Sequence, residues 1–437
     1  MTENSSNFIS APRSVEWLYS NDPKKQLICL KSIRKKLSKK DPDIENMLYV
    51  TSRVLELIIS RNDSEGLREC TWILTNIASG YSLGVDEILK LNGTTILKKL
   101  IDKTSDNIVK NQCFWTFSNI ACEDEQCRDH VLSLGIFHSL ITFIKEIFEE
   151  NDEDILKTCI WTLANFFLPK FTSLHDDYCK LGLKMFIKCF RHSNQILRKE
   201  AAFGILHIME NRKYIDNIIE SGILNDIRTE LEFEEDTKML SCMIRIVGNL
   251  AWGNDQQTQS LIDNDFIYVF HKLLYIEHKE LLKEVIWTLS NIAAGNRAQV
   301  KAIMDGQIFP KLIGMLNDEN FRIRREAVWV INNSTQNGSS EVIVHLVKLE
   351  VLKYLTTLLD DDDHEIVKAC VDSIFNILQT GEMYFKDVNL FAILVDKYGS
   401  LKKIEHLQFH KSWLIVDKVL RILESFYKRD VKEVPKI

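Results

Sequence analysis

The chain has little proline and little glycine, 6 and 16 in 437 residues. That scarcity speaks against turn-rich sheet and for long helices. No apolar run is long enough to span a bilayer, and neither a signal peptide nor a lipidation motif is evident, which points to a soluble, intracellular protein. Base is not in excess: 55 Lys and Arg stand against 62 Asp and Glu, a net charge of −7, so the basic stripe of a general nucleic-acid binder is missing. There is no phosphate-binding glycine loop, no HExxH and no nucleophile constellation, which argues against an enzyme and implies no cofactor. The ten cysteines are scattered singly, Cys29, Cys70, Cys113, Cys159 and Cys370 among them. That is no secreted disulfide framework, and a reduced compartment is expected. Cys122, Cys127 and His130, with His138 further on, match no zinc module, and no metal is expected.

What the chain does have is a repeated frame. Tryptophan is followed four residues later by asparagine at Trp72/Asn76, Trp115/Asn119, Trp161/Asn165, Trp287/Asn291 and Trp329/Asn333, with Arg245/Asn249 as a variant. Four residues is about one helical turn, so each pair shares a helix face. The first members fall at steps of 43, 46, 84, 42 and 42 residues, and the double step holds a degenerate copy, Phe203/His207. A period near 42 is that of armadillo or HEAT solenoids, whose units bury their apolar faces against one another.

Within a unit one order recurs. A short apolar piece with glycine (Ser133-Leu-Gly-Ile136, Glu220-Ser-Gly-Ile223, Met304-Asp-Gly-Gln307) leads into an apolar helix such as 309–316. A loop follows, then the long helix bearing Trp and Asn. Three helices per unit is the armadillo plan. The expected fold is therefore all-α, a right-handed armadillo-repeat superhelical solenoid of about ten three-helix repeats over 13–428, between a disordered 1–12 and a short tail at 429–437. Acidic runs at 149–153, 233–236 and 360–363 are expected to cap helices. Gly80, Gly253, Gly295 and Gly338 are expected to stop them at positive φ.

A tryptophan stripe at helical spacing is ordinarily core. Here Leu74, Leu163, Leu289 and Ile331 already supply core positions in the same helices, and asparagine inside a helix costs roughly half a kcal/mol against alanine. A row of carboxamides can donate to and accept from the backbone of an extended peptide. Indoles beside them form slots for an aliphatic stem with a cationic head, that is, lysine or arginine. Glu69, Glu284 and Glu326 each precede their tryptophan by three, while Glu123 and Asp255 lie just past helix ends. The array reads as a ladder that grips a basic peptide.

The segments Glu69-Cys-Thr-Trp-Ile-Leu-Thr-Asn-Ile-Ala-Ser-Gly80, Trp287-Thr-Leu-Ser-Asn-Ile-Ala-Ala-Gly295 and Arg245-Ile-Val-Gly-Asn249 with the following Gly253-Asn-Asp-Gln-Gln-Thr-Gln259 closely resemble importin-α (karyopherin-α). The resemblance spans about 14–427. It implies a nuclear import adaptor of cytoplasm and nucleus that binds the nuclear localisation signals of cargo at two sites. By resemblance the major site is Trp72, Asn76, Gly80, Trp115, Asn119, Glu123, Trp161 and Asn165. The minor site is Arg245, Asn249, Asp255, Thr258, Glu284, Trp287, Ser290, Asn291, Glu326, Trp329 and Asn333. The partners it implies are basic signal peptides, importin-β and an exportin for recycling, with no nucleic acid and no membrane.

Three departures matter. The family's main lysine pocket uses an aspartate, a threonine and a glycine carbonyl, and the matching residues are Glu123, Val85 and Gly80. Loss of the hydroxyl predicts a weaker or less selective pocket. The fourth repeat reads Phe166-Phe-Leu-Pro-Lys170 after its asparagine, with less basic character than the family has there. The family's basic N-terminal arm, which docks importin-β and competes for the groove, is not evident before the first helix, and without it an open groove is expected. The rivals to an adaptor are an armadillo scaffold for acidic peptides and a cargo-sequestering protein not coupled to importin-β.

Overall fold

The computed structural model describes residues 15–79, 82–172, 174–385 and 387–427. The expected disordered start, the tail and Gly80 lie outside these residues. Ten long helices carry the architecture, and we number only these: α1 (Pro23–Leu37), α2 (Ser64–Ala78), α3 (Asn107–Ala121), α4 (Glu153–Asn165), α5 (Gln195–Met209), α6 (Thr237–Ala251), α7 (Lys279–Ala293), α8 (Phe321–Asn337), α9 (His364–Tyr384) and α10 (Trp413–Tyr427). Two shorter helices separate most neighbours, as Ser82–Lys90 and Gly93–Lys103 do between α2 and α3. That is the three-helix repeat expected from the sequence. No single described helix is long and apolar enough to cross a membrane.

Local chemistry starts nine of the ten long helices. Asp22, Asp63, Asp106, Asp152, Asn194, Asp236, His278, Asn320 and Asp363 each accept a hydrogen bond from a first-turn backbone N–H. A cap of this kind stabilises a helix by about 1 kcal/mol. Asp106 shows the electrostatic side of the arrangement. Burial alone raises its carboxyl, but the Arg68 guanidinium and the Val109 N–H together hold it below the ordinary range.

Between the first and second helix of a repeat the chain turns through one left-handed residue. Asn92, Gly135, Gly222, Asp265, Gln307, Glu350 and Gly399 all have φ between 54° and 82°. Glycine meets that demand without strain, and Asn or Asp at small cost. The glycines that close the long helices answer a different one. Gly338 has φ −72°, and Gly253 and Gly295 are likewise not at positive φ, so the expected left-handed stop does not occur there. A Cβ on Gly253 would lie 2.1 Å from Gln257 Oε1, and one on Gly295 would lie 1.8 Å from Gln299 Oε1. Those glutamines fold back to complete capping boxes with Asn254 and Asn296. Close approach of the capping glutamine, rather than φ, favours glycine at these two ends.

The chain forms two compact units, one ending at Asn211 and one starting at Arg212. In the first, α1 to α5 stack in order, each on the next; in the second, α6 to α10 do the same. Their inward faces are fully buried, with Ile73 and Leu74 in α2, Phe114 and Phe117 in α3, and Ile286 and Leu289 in α7. Nine of the ten cysteines are buried. Burial pushes the Cys29 thiol up to about 11 and that of Cys70 to about 12, so these side chains act as small apolar groups.

Candidate peptide-binding ladders

In the first unit the tryptophans emerge from helices that are otherwise buried on both sides of the stripe. Trp72 is 39% exposed and Trp115 37%, while Trp161 is half-buried. The rings of Trp115 and Trp161 meet edge to face, centroids 6.0 Å apart at 70°, an arrangement that leaves ring faces available. Glu123 is exposed just past the end of α3. Val85, at the family's threonine position, is fully buried.

The asparagines have a second task that the sequence did not disclose. Asn76 Nδ2 donates to Ser38 Oγ at 3.0 Å, Asn119 Nδ2 to the Thr75 carbonyl at 3.0 Å, and Asn165 Nδ2 to Ser118 Oγ at 2.9 Å. In the second unit Asn333 Nδ2 donates to the Ser290 carbonyl at 2.9 Å. Each amide thus reaches one helix back. Thr75, Ser118 and Ser290 immediately precede the previous asparagine. At the degenerate copy, His207 Nδ1 makes the same link to the Ala164 carbonyl at 3.4 Å. The amide oxygens of Asn76, Asn119, Asn165 and Asn333 accept no hydrogen bond among the described residues. An acceptor and a second N–H per rung remain for a peptide backbone. Asn291 is the exception, since its Nδ2 is enclosed without a hydrogen-bond partner.

Two cationic side chains of the chain itself already lie on the first ladder. The Arg34 guanidinium stands 4.4 Å from the Trp72 ring centroid and its Nε donates to Glu69 at 2.6 Å. Glu69 is therefore engaged by α1. Lys170 Nζ donates to the Cys122 carbonyl at 2.6 Å, beside Glu123. Helix-end carbonyls attract cations in this way.

In the second unit α6 presents Arg245 exposed and Asn249 half-buried, and Trp287 and Trp329 are half-buried on α7 and α8. A cavity of about 460 Å³ is lined by Trp287, by the carboxylates Glu284 and Glu326, and by Arg245, Lys283 and Arg325. Two of these cations are spoken for, Lys283 by Glu280 at 3.4 Å and Arg325 by Asp363 at 3.8 Å. Glu284 accepts from Ser241 Oγ at 2.8 Å, and neither Glu284 nor Glu326 has an ion pair among the described residues. Burial raises the Glu326 carboxyl, with Arg325 and Lys283 pulling the other way. Asp255 is exposed and accepts from Asn296 Nδ2 at 3.2 Å. Thr258 is buried, its hydroxyl donating to the Ala251 carbonyl at 3.1 Å. Ser290 is also buried and donates to the Trp287 carbonyl at 2.8 Å. The last two hydroxyls tie backbone rather than face outward.

Residues 389–436 match the family model described as an atypical Arm repeat. In overall structure the chain is similar to an engineered protein, at 23% identity over 94% of this chain and 97% of that one, with a TM-score of 0.78. It is also similar to a designed armadillo repeat protein in complex with the peptide (KR)4, at 27% identity over 56% of this chain and 99% of that one, TM-score 0.51. These likenesses establish an all-α armadillo-repeat solenoid. Along the sequence, the chain is 33% identical over 426 residues to Importin subunit alpha-1b of Oryza sativa subsp. japonica, covering 95% of this chain and 78% of that protein. The chain belongs to the importin-α family.

A further feature of this chain lies beneath one of its indoles. A Cβ on Gly248 would fall 2.4 Å from the Trp287 ring and 2.9 Å from Thr288 Oγ1, so Trp287 rests directly on the α6 backbone. Gly248→Val is expected to displace that indole and to destabilise the protein by about 1–3 kcal/mol through overpacking. Thermal unfolding together with Trp fluorescence checks both effects, and an unshifted transition would mean that α6 and α7 are not seated this closely. The seat was not foreseen from sequence, although a glycine immediately before the ladder asparagine was its visible sign.

Proposed function

We propose that this chain is a nuclear import adaptor that captures lysine- and arginine-rich localisation signals. Trp72, Asn76, Gly80, Trp115, Asn119, Glu123, Trp161 and Asn165 act as the major site. Arg245, Asn249, Asp255, Glu284, Trp287, Asn291, Glu326, Trp329 and Asn333 act as the minor site, with Thr258 and Ser290 holding its backbone. The observation that carries this reading is the repetition, on successive helices, of an accessible indole one turn from an amide whose oxygen is unused. A peptide in extended form presents backbone groups at a steady spacing, and such a row can hold it without side-chain specificity. Indoles with carboxylates nearby then select cationic heads on apolar stems. The (KR)4 complex of the designed armadillo protein supports the same chemistry on this fold. On this reading importin-β and an exportin of the recycling type are the candidate transport partners, and the protein moves between cytoplasm and nucleus.

The test is a calorimetric titration of the full chain with (KR)4. Low-micromolar or tighter binding is expected, weakening with salt because exposed charges are screened over about 10 Å at 0.1 M. Equal or tighter binding of an acidic octapeptide would overturn the proposal in favour of a scaffold for acidic partners. The pH dependence has a definite sign. In the free protein burial raises Glu326 from its ordinary 4.5, and a cation beside it favours the carboxylate. Binding therefore releases protons in the window just above pH 4.5, and affinity falls as pH drops through the raised value. An affinity unchanged from neutral pH into that window would remove Glu326 from the site.

A further inference from the structure

The helix that replaces its ladder tryptophan with Arg245 ends on another indole about two turns later. Trp252 follows Asn249 by three and Arg245 by seven residues, so the three share one face of α6. The intervening Ile246, Val247, Gly248, Leu250 and Ala251 are buried. The helical hydrogen bonding runs on through Trp252, whose N–H donates to the Gly248 carbonyl at 3.0 Å. The ring is 60% exposed, more than any of the ladder indoles. It is also not bare: the Arg212 guanidinium lies 3.8 Å from its centroid, and Arg212 Nη2 donates to the Trp252 carbonyl at 2.7 Å. Both members belong to the second unit. Asp255, exposed three residues on, adds negative charge at the same helix end.

An indole face and a helix-end carbonyl together make a cradle for a planar guanidinium, which can stack and donate at once. An ammonium can take the carbonyl but does not stack. Resting on the reading above, we propose that Trp252 is a further specificity-determining residue, an arginine-selecting slot of the second ladder that Arg212 occupies until an arginine of a bound peptide takes its place. The slot restores at the C-cap of α6, about two turns further along, the indole that Arg245 removes. Arg212 acts as an internal competitor. It sets how much an incoming arginine gains, because only the difference between the two guanidinium contacts appears as affinity.

The test uses the full chain with Trp115→Ala and Trp161→Ala, so that the second ladder is read alone, titrated with (KR)4 and with octalysine. Arg212→Ala is expected to tighten (KR)4 about fivefold, the scale of a partly desolvated cation–π contact, and to tighten octalysine by a smaller factor, because an ammonium takes the carbonyl without stacking. Trp252→Ala is expected to weaken (KR)4 only by the difference between the two contacts, whereas in the Arg212→Ala background it removes the whole gain, so that the double variant matches Trp252→Ala. A gain on removing Arg212 cannot come from partial unfolding, so it stands even if the tryptophan variant folds poorly. If Arg212→Ala weakens binding or leaves it unchanged while Trp287→Ala abolishes it, the slot is overturned and the ladder reading survives. If Trp287→Ala also has no effect, the ladder reading fails and the slot with it.

Discussion

Trp115→Ala combined with Trp161→Ala lowers affinity for a lysine/arginine-rich peptide by at least about 100-fold on our reading, equivalent to about 2.7 kcal/mol. Two slots disappear together because the rings brace each other edge to face at 6.0 Å. Losing either one frees its neighbour to tilt away from the peptide. Buried aromatic anchors at interfaces commonly cost 2 kcal/mol or more each when truncated, and part of the pair's effect is shared, hence the cautious lower figure. Stability should change little, since Trp115 is 37% exposed and the core contacts of α3 and α4 come from Phe114, Phe117, Ile160 and Leu163. Calorimetry beside a thermal melt separates the two quantities. Retained binding in a folded variant would place the peptide elsewhere. Asn119→Ala makes a poorer probe, because it also removes the hydrogen bond to the Thr75 carbonyl and so mixes affinity with stability.

Phe137→Ala is expected to destabilise the protein by about 3–5 kcal/mol, the range for a fully buried phenylalanine. Its ring is completely enclosed and centres a cluster with Tyr178 at 4.8 Å, Phe166 at 5.8 Å and Phe167 at 6.0 Å. Phe166 and Phe167 directly follow Asn165, so this cluster anchors the end of α4 where the last rung of the first ladder sits. Collapse of the cavity should therefore loosen Asn165 as well as lower the melting temperature. Denaturant unfolding gives the stability change, and hydrogen exchange across 160–167 gives the local one. A cost below about 1 kcal/mol would mean that the cluster is not packed as described.

The fold was legible because its signal is redundant. Five Trp/Asn pairs in one repeated frame, caps at Asp152, Asp236 and Asp363, and glycines such as Gly135 and Gly222 at the corners all imply the same stacked helices. Less legible was anything that depends on the neighbouring repeat. Glu69 reads as a groove carboxylate, yet Arg34, 35 residues earlier, takes it. The amides of Asn119 and Asn333 read as free peptide clamps, yet each spends a proton on a carbonyl 44 or 43 residues back. Thr258 reads as a rim hydroxyl, yet it closes on Ala251. Gly253 and Gly295 read as left-handed stops, while their true constraint is the glutamine folded over them. A linear pattern reports which residues share a helix face. It does not report what the adjoining helix offers to that face.

The backward reach of these ladder asparagines has a bearing on how such a chain can vary over generations. The seams spanned by Asn119, Asn165 and Asn333 are each closed by an amide bond to the residue just before the previous ladder asparagine, a carbonyl at Thr75 and Ser290 and a hydroxyl at Ser118. Unequal recombination that adds or removes one whole period would therefore join ends that already fit, whereas a break at any other length would leave an amide facing the wrong turn. Rung number is thus open to inheritance in whole steps, and the reach of the protein along a partner could lengthen or shorten without any new contact having to be invented.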